Sequence, residues 1–310
     1  MLSTTARNLY WLGRYLQRAE STARLLEASQ RMALQSGADE AGTAASIFGM
    51  REDFFARYPD GGLEHFVDYM ALDETNPSSL LGSIKSARDN ARAERNNLTS
   101  DVWESLNGLW LEASAQARGN RNGLDRGAFI DAIKKQSVMI AGAAQSTLLR
   151  DDAYNFLLLG TYLERADNTA RILDIKFHRL SPDGSPDGAD KAGYYEWSEV
   201  LACIGALRTY RRVYRTRIEP FRVVELMLLR RDLPRSVHHC LWQADFNLRE
   251  LADRYGSRGE ADRQCGELHA RLRYCRTDHV FEAGLHTFLD NLGTSLQCLS
   301  DEIGRQFLFE

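Results

Sequence analysis

Two stretches of the chain carry carboxylates and guanidinium groups at spacings that bring them together. In residues 160–176, GTYLERADNTARILDIK, the residues Glu164, Asp167 and Arg171 stand three, four and seven positions apart. At 100° per residue they share one side of a helix, while Arg165 points away with Thr169. Residues 13–29, GRYLQRAESTARLLEAS, place Gln17, Glu20 and Arg24 on the equivalent face, with Arg18 in the position of Arg165. Carboxylates so placed perform general acid–base chemistry when burial lifts a pKa toward neutrality, which makes Glu164, Asp167 and Glu20 the candidate catalytic residues. Arg18, Arg24, Arg165 and Arg171 are the candidate binding residues of a polar cleft for an amino acid or peptide. The competing reading is architectural: the same charges form i,i+4 pairs and a hydrogen-bond network that docks the two halves of the chain.

A second constellation is basic. Residues 208–235 hold nine arginines against three acids, in a chain whose net charge is −4. Arg208, Arg211, Arg212 and Arg215 follow helical spacing, interleaved with Tyr210 and Tyr214, and are expected on one face. Arginine offers paired donors that suit carboxylate or phosphate, so Arg211, Arg212 and Arg215 are further candidate binding residues. Arg88 and Arg92 form a smaller stripe with Lys85 and Arg95. An ordinary solvated arginine face is the alternative for both.

Other chemistries lack their residues. There is no Gly-x-x-x-x-Gly-Lys-Ser/Thr loop, no dinucleotide fingerprint, no Gly-x-Ser-x-Gly and no Glu-x-x-His for a di-iron bundle. The five cysteines lie in the second half without a Cys-x-x-Cys spacing, and read as reduced thiols. His238 and His239 are adjacent, hence about 100° apart on a helix, and read as surface or half-buried side chains. No metal and no cofactor is expected. The five tryptophans read as core or helix-contact residues.

The elements that must position these groups follow from composition. The 310 residues are 44% apolar and 26% charged, and contain six prolines, where average usage predicts about fifteen. Residues 1–58, 78–181 and 235–310 contain none, and apolar residues recur there at intervals of three and four. Leu12, Leu16, Ala19, Ala23 and Leu26 form one stripe; Leu159, Leu163, Ala166, Ala170, Leu173 and Phe177 form another. An all-α protein is predicted. The acidic balance argues against nucleic acid as a partner. Charges within the first twenty residues, and the lack of any apolar window of about 20 residues, argue against a signal peptide and a membrane anchor, so a cytoplasmic location is expected.

The two signature segments are identical at nine of seventeen positions at an offset of 147 residues. Farther along, Met70, Pro77 and Ser79 match Met227, Pro234 and Ser236 at an offset of 157, as do Asn90 and Arg92 with Asn247 and Arg249. The longer segment 181–193, read as a flexible loop, accounts for the change. A tandemly duplicated helical bundle with approximate internal two-fold symmetry is expected, with repeats at 1–150 and 151–310 packed as one body.

These blocks, YWLGRYLQRAESTARLL and LGTYLERADNTARILD above all, resemble the bacterial alpha-E family of helical proteins with a recurring Glu-Arg motif. ARDNARAERNNLTSDVWESLN and LPRSVHHCL extend the resemblance over essentially the whole chain. The motif is intact at Glu164-Arg165, whereas its first copy reads Gln17-Arg18. The resemblance implies association with circularly permuted ATP-grasp ligases, often with transglutaminase-like proteases, in peptide or amide synthesis or modification. It therefore implies an accessory or substrate-presenting role, with an ATP-grasp-type ligase and a peptide or amino-acid ligand as partners. Catalysis by the signature carboxylates themselves, or a structural oligomerisation module, are the alternatives.

Overall fold

In the computed structural model, which describes residues 1–36, 39–119, 123–180 and 193–309, the three- and four-residue apolar spacing becomes helix nearly throughout. The described residues form fifteen α-helices and no strand. These are α1 (Ser3–Ser36), α2 (Glu40–Ile47), α3 (Arg51–Arg57), α4 (Leu63–Ala71), α5 (Leu80–Ala93), α6 (Ser100–Arg118), α7 (Arg126–Thr147) and α8 (Asp152–Leu180). They continue as α9 (Gly193–Cys203), α10 (Leu207–Tyr214), α11 (Pro220–Val224), α12 (Val237–Tyr255), α13 (Glu260–Tyr274), α14 (Thr277–Glu282) and α15 (Leu285–Gln306). A π turn over Glu225–Leu229 follows α11. Pro220 opens α11, where its missing N–H costs nothing, and Pro77 and Pro234 stand in the turns before α5 and α12. Of the segment 181–193, residues 181–192 lie outside the described residues.

The chain divides into two compact units, Met1–Thr161 and Tyr162–Glu310, with the boundary inside α8. In the first, α1 packs against α5 and α7, and α6 packs against the same two helices. The predicted α1 stripe is buried throughout, with Leu12, Ala19, Ala23 and Leu26 fully so. Leu80, Leu81, Ile84 and Ala87 of α5 are likewise removed from solvent. A bidentate pair from Arg126 to Asp68, at 2.6 and 2.8 Å, ties α7 to α4.

Inside this unit α1 meets the first turns of α8 at two glycines. A Cβ on Gly13 would lie 2.0 Å from the carbonyl oxygen of Leu157, and one on Gly160 would lie 2.0 Å from that of Tyr10. Both glycines, and both carbonyls, are related by the 147-residue offset. Only glycine lets the backbones approach so closely.

In the second unit α12 packs against α13, and α13 against α15 and the π turn. Trp197, Tyr210, Met227, Leu241 and Cys265 are buried at its centre. The Thr169 hydroxyl donates to the carbonyl of Arg235 at 2.9 Å, joining α8 to the turn before α12.

The turns before α5 and α12 are built alike. The Ser79 hydroxyl donates to the Asp73 carbonyl and accepts from the Gly82 N–H, capping α5. The Ser236 hydroxyl donates to the Arg230 carbonyl and accepts from the His239 N–H, capping α12. Deeper into the two helices, Asn90 donates to the Ser86 carbonyl and Asn247 to that of Gln243. Every partner is displaced by the same 157 residues.

Candidate functional site

The signature carboxylates are held in place by their own helices. Glu20 is buried and accepts from Arg24 at 2.9 Å through Nε and a terminal nitrogen. The Gln17 amide donates to Glu20 at 3.4 Å and to the Ser21 hydroxyl at 2.9 Å. Asp167 pairs with Arg171 at 2.9 Å on a more open surface, where the Arg171 side chain is 57% exposed. An exposed pair of this kind contributes little to stability. Glu164 is buried, and Asn168 donates to its carboxylate at 3.5 Å and to its backbone carbonyl at 2.9 Å.

The change from Glu164 to Gln17 has a physical counterpart one turn on. Position 21 is serine where position 168 is asparagine, so the amide donor moves from the second residue of the pair to the first. A carboxylate at position 17 would set a second buried negative charge beside Glu20; glutamine places a donor there instead. Arg18 and Arg165 match as well, lying over the rings of Tyr15 and Tyr162 at 5.4 and 5.5 Å from their centroids. These cation–π contacts keep both guanidinium groups at helix surfaces.

The basic segment departs from its predicted geometry. Helix α10 ends at Tyr214, and Arg215 adopts the left-handed conformation with φ of 54°, so it does not extend the face begun by Arg208, Arg211 and Arg212. The left-handed form costs a non-glycine residue about 1 kcal/mol. The Tyr210 hydroxyl sets the path that follows, donating to the Arg217 carbonyl at 3.0 Å and accepting from the Glu219 N–H at 2.9 Å. Arg208, Arg211, Arg212, Arg215 and Arg217 are all exposed, and none forms an ion pair among the described residues. The smaller stripe is more occupied: Arg88 donates to Asn107 at 3.0 Å, Lys85 pairs with Asp89, and Arg95 covers Trp103, leaving Arg92 exposed.

Sequence reasoning missed a third cluster. His238 is buried rather than superficial, and its Nδ1–H donates to the Leu229 carbonyl at 2.8 Å, at the end of the π turn. His239 makes the same kind of bond to the Arg231 carbonyl at 2.8 Å. Asp245, also buried, receives Arg249 in a bidentate pair and His269 at 3.1 Å. Trp242 is a half-buried wall beneath Arg231, whose guanidinium lies 4.1 Å from the ring centroid. The i,i+4 spacing of Asp245 and Arg249 is legible in the sequence; the approach of His269 from α13, 24 residues on, is not.

Burial holds both His238 and His239 below the ordinary imidazole value of 6.5, helped at His238 by His269, Arg231 and Arg273 and at His239 by Arg165 and Arg231. The folded state therefore binds fewer protons at these sites than the unfolded chain, so their contribution is complete above about pH 6.5 and falls as pH drops. His286 has the opposite sign, because Asp174 at 2.7 Å raises its pKa. Lowering the pH from about 7.5 to 5.5 should lower the melting temperature of the second unit, more steeply in His286→Gln and less steeply in His238→Gln.

An all-helical chain with this repeated signature belongs to a family known from sequence. The Alpha-E model, described as a predicted alpha-helical domain with a conserved ER motif, matches residues 1–308, and the chain belongs to that family. Among curated proteins it is similar to the uncharacterized protein Mb2597 of Mycobacterium bovis and the uncharacterized proteins MT2643 and Rv2567 of Mycobacterium tuberculosis. Each is 22% identical over 328 aligned residues, covering 95% of this chain and 36% of the relative. The chain thus spans about a third of the length of the curated relatives it matches. No solved structure matches it. Among the described residues no helix is long and apolar enough to cross a membrane.

Proposed function

We propose that this chain is an accessory, substrate-presenting protein of an ATP-grasp-linked peptide or amide synthesis or modification system, acting in the cytoplasm. The observation that carries the reading is the exposed arginine group of α10 and its end. Five guanidinium groups stand without internal carboxylates in a chain of net charge −4, and a face of this kind suits an acidic surface on a ligase. The left-handed Arg215 adds weight, since a glycine there would be less strained. Two further facts support the assignment. The ion pairs and hydrogen bonds of Glu20 and Asp167 occupy the groups that a catalytic carboxylate would need free. The matched relatives carry most of their length outside the shared region, which is where a covalently attached partner would lie. ATP binding falls to the ligase, because this chain has no phosphate-cradling glycine loop.

Co-expression with an ATP-grasp ligase from the same organism and affinity capture test the proposal. The pair should co-purify, and the double substitution Arg211→Glu with Arg215→Glu should weaken the complex at least about tenfold while leaving the helical circular dichroism unchanged. An unchanged affinity would remove α10 from the interface. Turnover of a peptide by the isolated chain, abolished by Glu164→Gln, would overturn the accessory role.

A further inference from the structure

The cluster between α12 and α13 lines a half-open cavity of about 410 Å³. That is large enough for a small molecule. Arg231, Arg249 and Arg273 line it, against the single carboxylate of Asp245. Asp245 is already committed: Arg249 takes both of its oxygens, at 2.8 and 3.1 Å, and His269 takes one. Arg231 and Arg273 make no ion pair among the described residues, so the lining keeps two uncompensated guanidinium groups.

The site is built rather than incidental. Arg231 is stacked on Trp242 and Arg273 lies over Tyr274 at 5.5 Å, so ring faces restrict both side chains. A guanidinium held in this way loses less freedom when it binds. Asp245, in turn, fixes His269 with Nδ1–H toward the carboxylate, which leaves Nε2 as the remaining polar edge of a half-buried ring. His238 also lines the cavity; it is only 6% exposed, and its Nε2 has no hydrogen-bond partner. With Nδ1–H given to the Leu229 carbonyl, that buried Nε2 is an acceptor and calls for an N–H or O–H donor, while the two guanidinium groups call for an anion, so a ligand that carries both matches the lining. Phe246 and Trp242 supply apolar wall.

We infer that this cavity is a binding site for a small molecule bearing an oxyanion, a carboxylate or a phosphoryl group, gripped by Arg231 and Arg273 with its apolar part against Trp242 and Phe246. The inference depends on the second unit alone and stands or falls independently of any ligase partner. Should the ligase reading also hold, the site is where a carboxylate-bearing substrate would be kept.

The test is titration of the full chain, followed by histidine ¹H–¹⁵N spectra and calorimetry, with three probes: N-acetylalanine, its neutral amide and inorganic phosphate. At least one anionic probe should bind and shift the His238 and His269 resonances, with the neutral amide at least about tenfold weaker. Arg231→Gln and Arg273→Gln should each weaken the anion about tenfold; both side chains are exposed, so the variants retain the fold. Tighter N-acetylalanine identifies a carboxylate ligand, and tighter phosphate a phosphoryl one. Equal binding of amide and acid, no shift of the histidine signals by either anion, or unaltered affinity in both variants would overturn the inference.

Discussion

Gly13→Ala should destabilise the first unit by about 3 kcal/mol, and Gly160→Ala by a similar amount. The sign is opposite to the intrinsic preference, since alanine is the better helix former by about 1 kcal/mol. What overrides it is distance: at either glycine the new Cβ would meet a backbone carbonyl oxygen at 2.0 Å, and a helix backbone cannot swing aside as a side-chain tip can. The two helices would have to separate, loosening the packing of the buried stripe that follows. Gly108 and Gly142, in α6 and α7, are different, because a methyl group at either would meet nothing within 4 Å. Their alanine variants should gain up to about 1 kcal/mol. Urea unfolding followed by far-ultraviolet circular dichroism separates the pairs; a neutral Gly13→Ala would mean that the two backbones cross farther apart.

The helices and their buried faces are legible in the sequence, because a stripe such as Leu12, Leu16, Ala19, Ala23 and Leu26 depends on local periodicity alone. The i,i+4 pairs Glu20 with Arg24 and Asp167 with Arg171 are legible for the same reason. Arg215 is not: continuing the spacing of Arg208, Arg211 and Arg212 assumes the helix continues, and what ends it is a turn organised by Tyr210 through bonds to residues seven and nine positions away. Nor is the α12–α13 cavity, whose parts are 24 residues apart for Asp245 and His269 and individually ordinary. Adjacency makes His238 and His239 read as surface or half-buried, which fits the half-buried His239 but not His238, which is buried; each donates to a carbonyl of the preceding turn. The cap and amide bonds recur at an offset of 157 and the close-approach glycines at 147, so the matched letters at these positions make the same bonds and contacts.

That correspondence yields a matched pair of expectations. Ser79→Ala and Ser236→Ala should each cost about 2 kcal/mol, one in the first unit and one in the second. Each serine is completely buried, and its hydroxyl serves two backbone groups at once: the N–H three residues on and the carbonyl six residues back. Alanine removes the helix cap, worth about 1 kcal/mol, and also strands a carbonyl that loses its hydroxyl donor. Ser78→Ala is the control, since the Ser78 side chain is only half-buried and substitutions away from such bonds stay within about 0.5 kcal/mol. Markedly unequal costs for Ser79 and Ser236 would argue that the two turns do different work. In the second unit the damage should extend further, because the carbonyl that Ser236 holds belongs to Arg230. The same turn carries Arg231 and presents Leu229 to His238. Ser236→Ala should therefore shift the His238 ring resonances and weaken anion binding in the cavity, which links the capping hydroxyl of α12 to the ligand site it helps to shape.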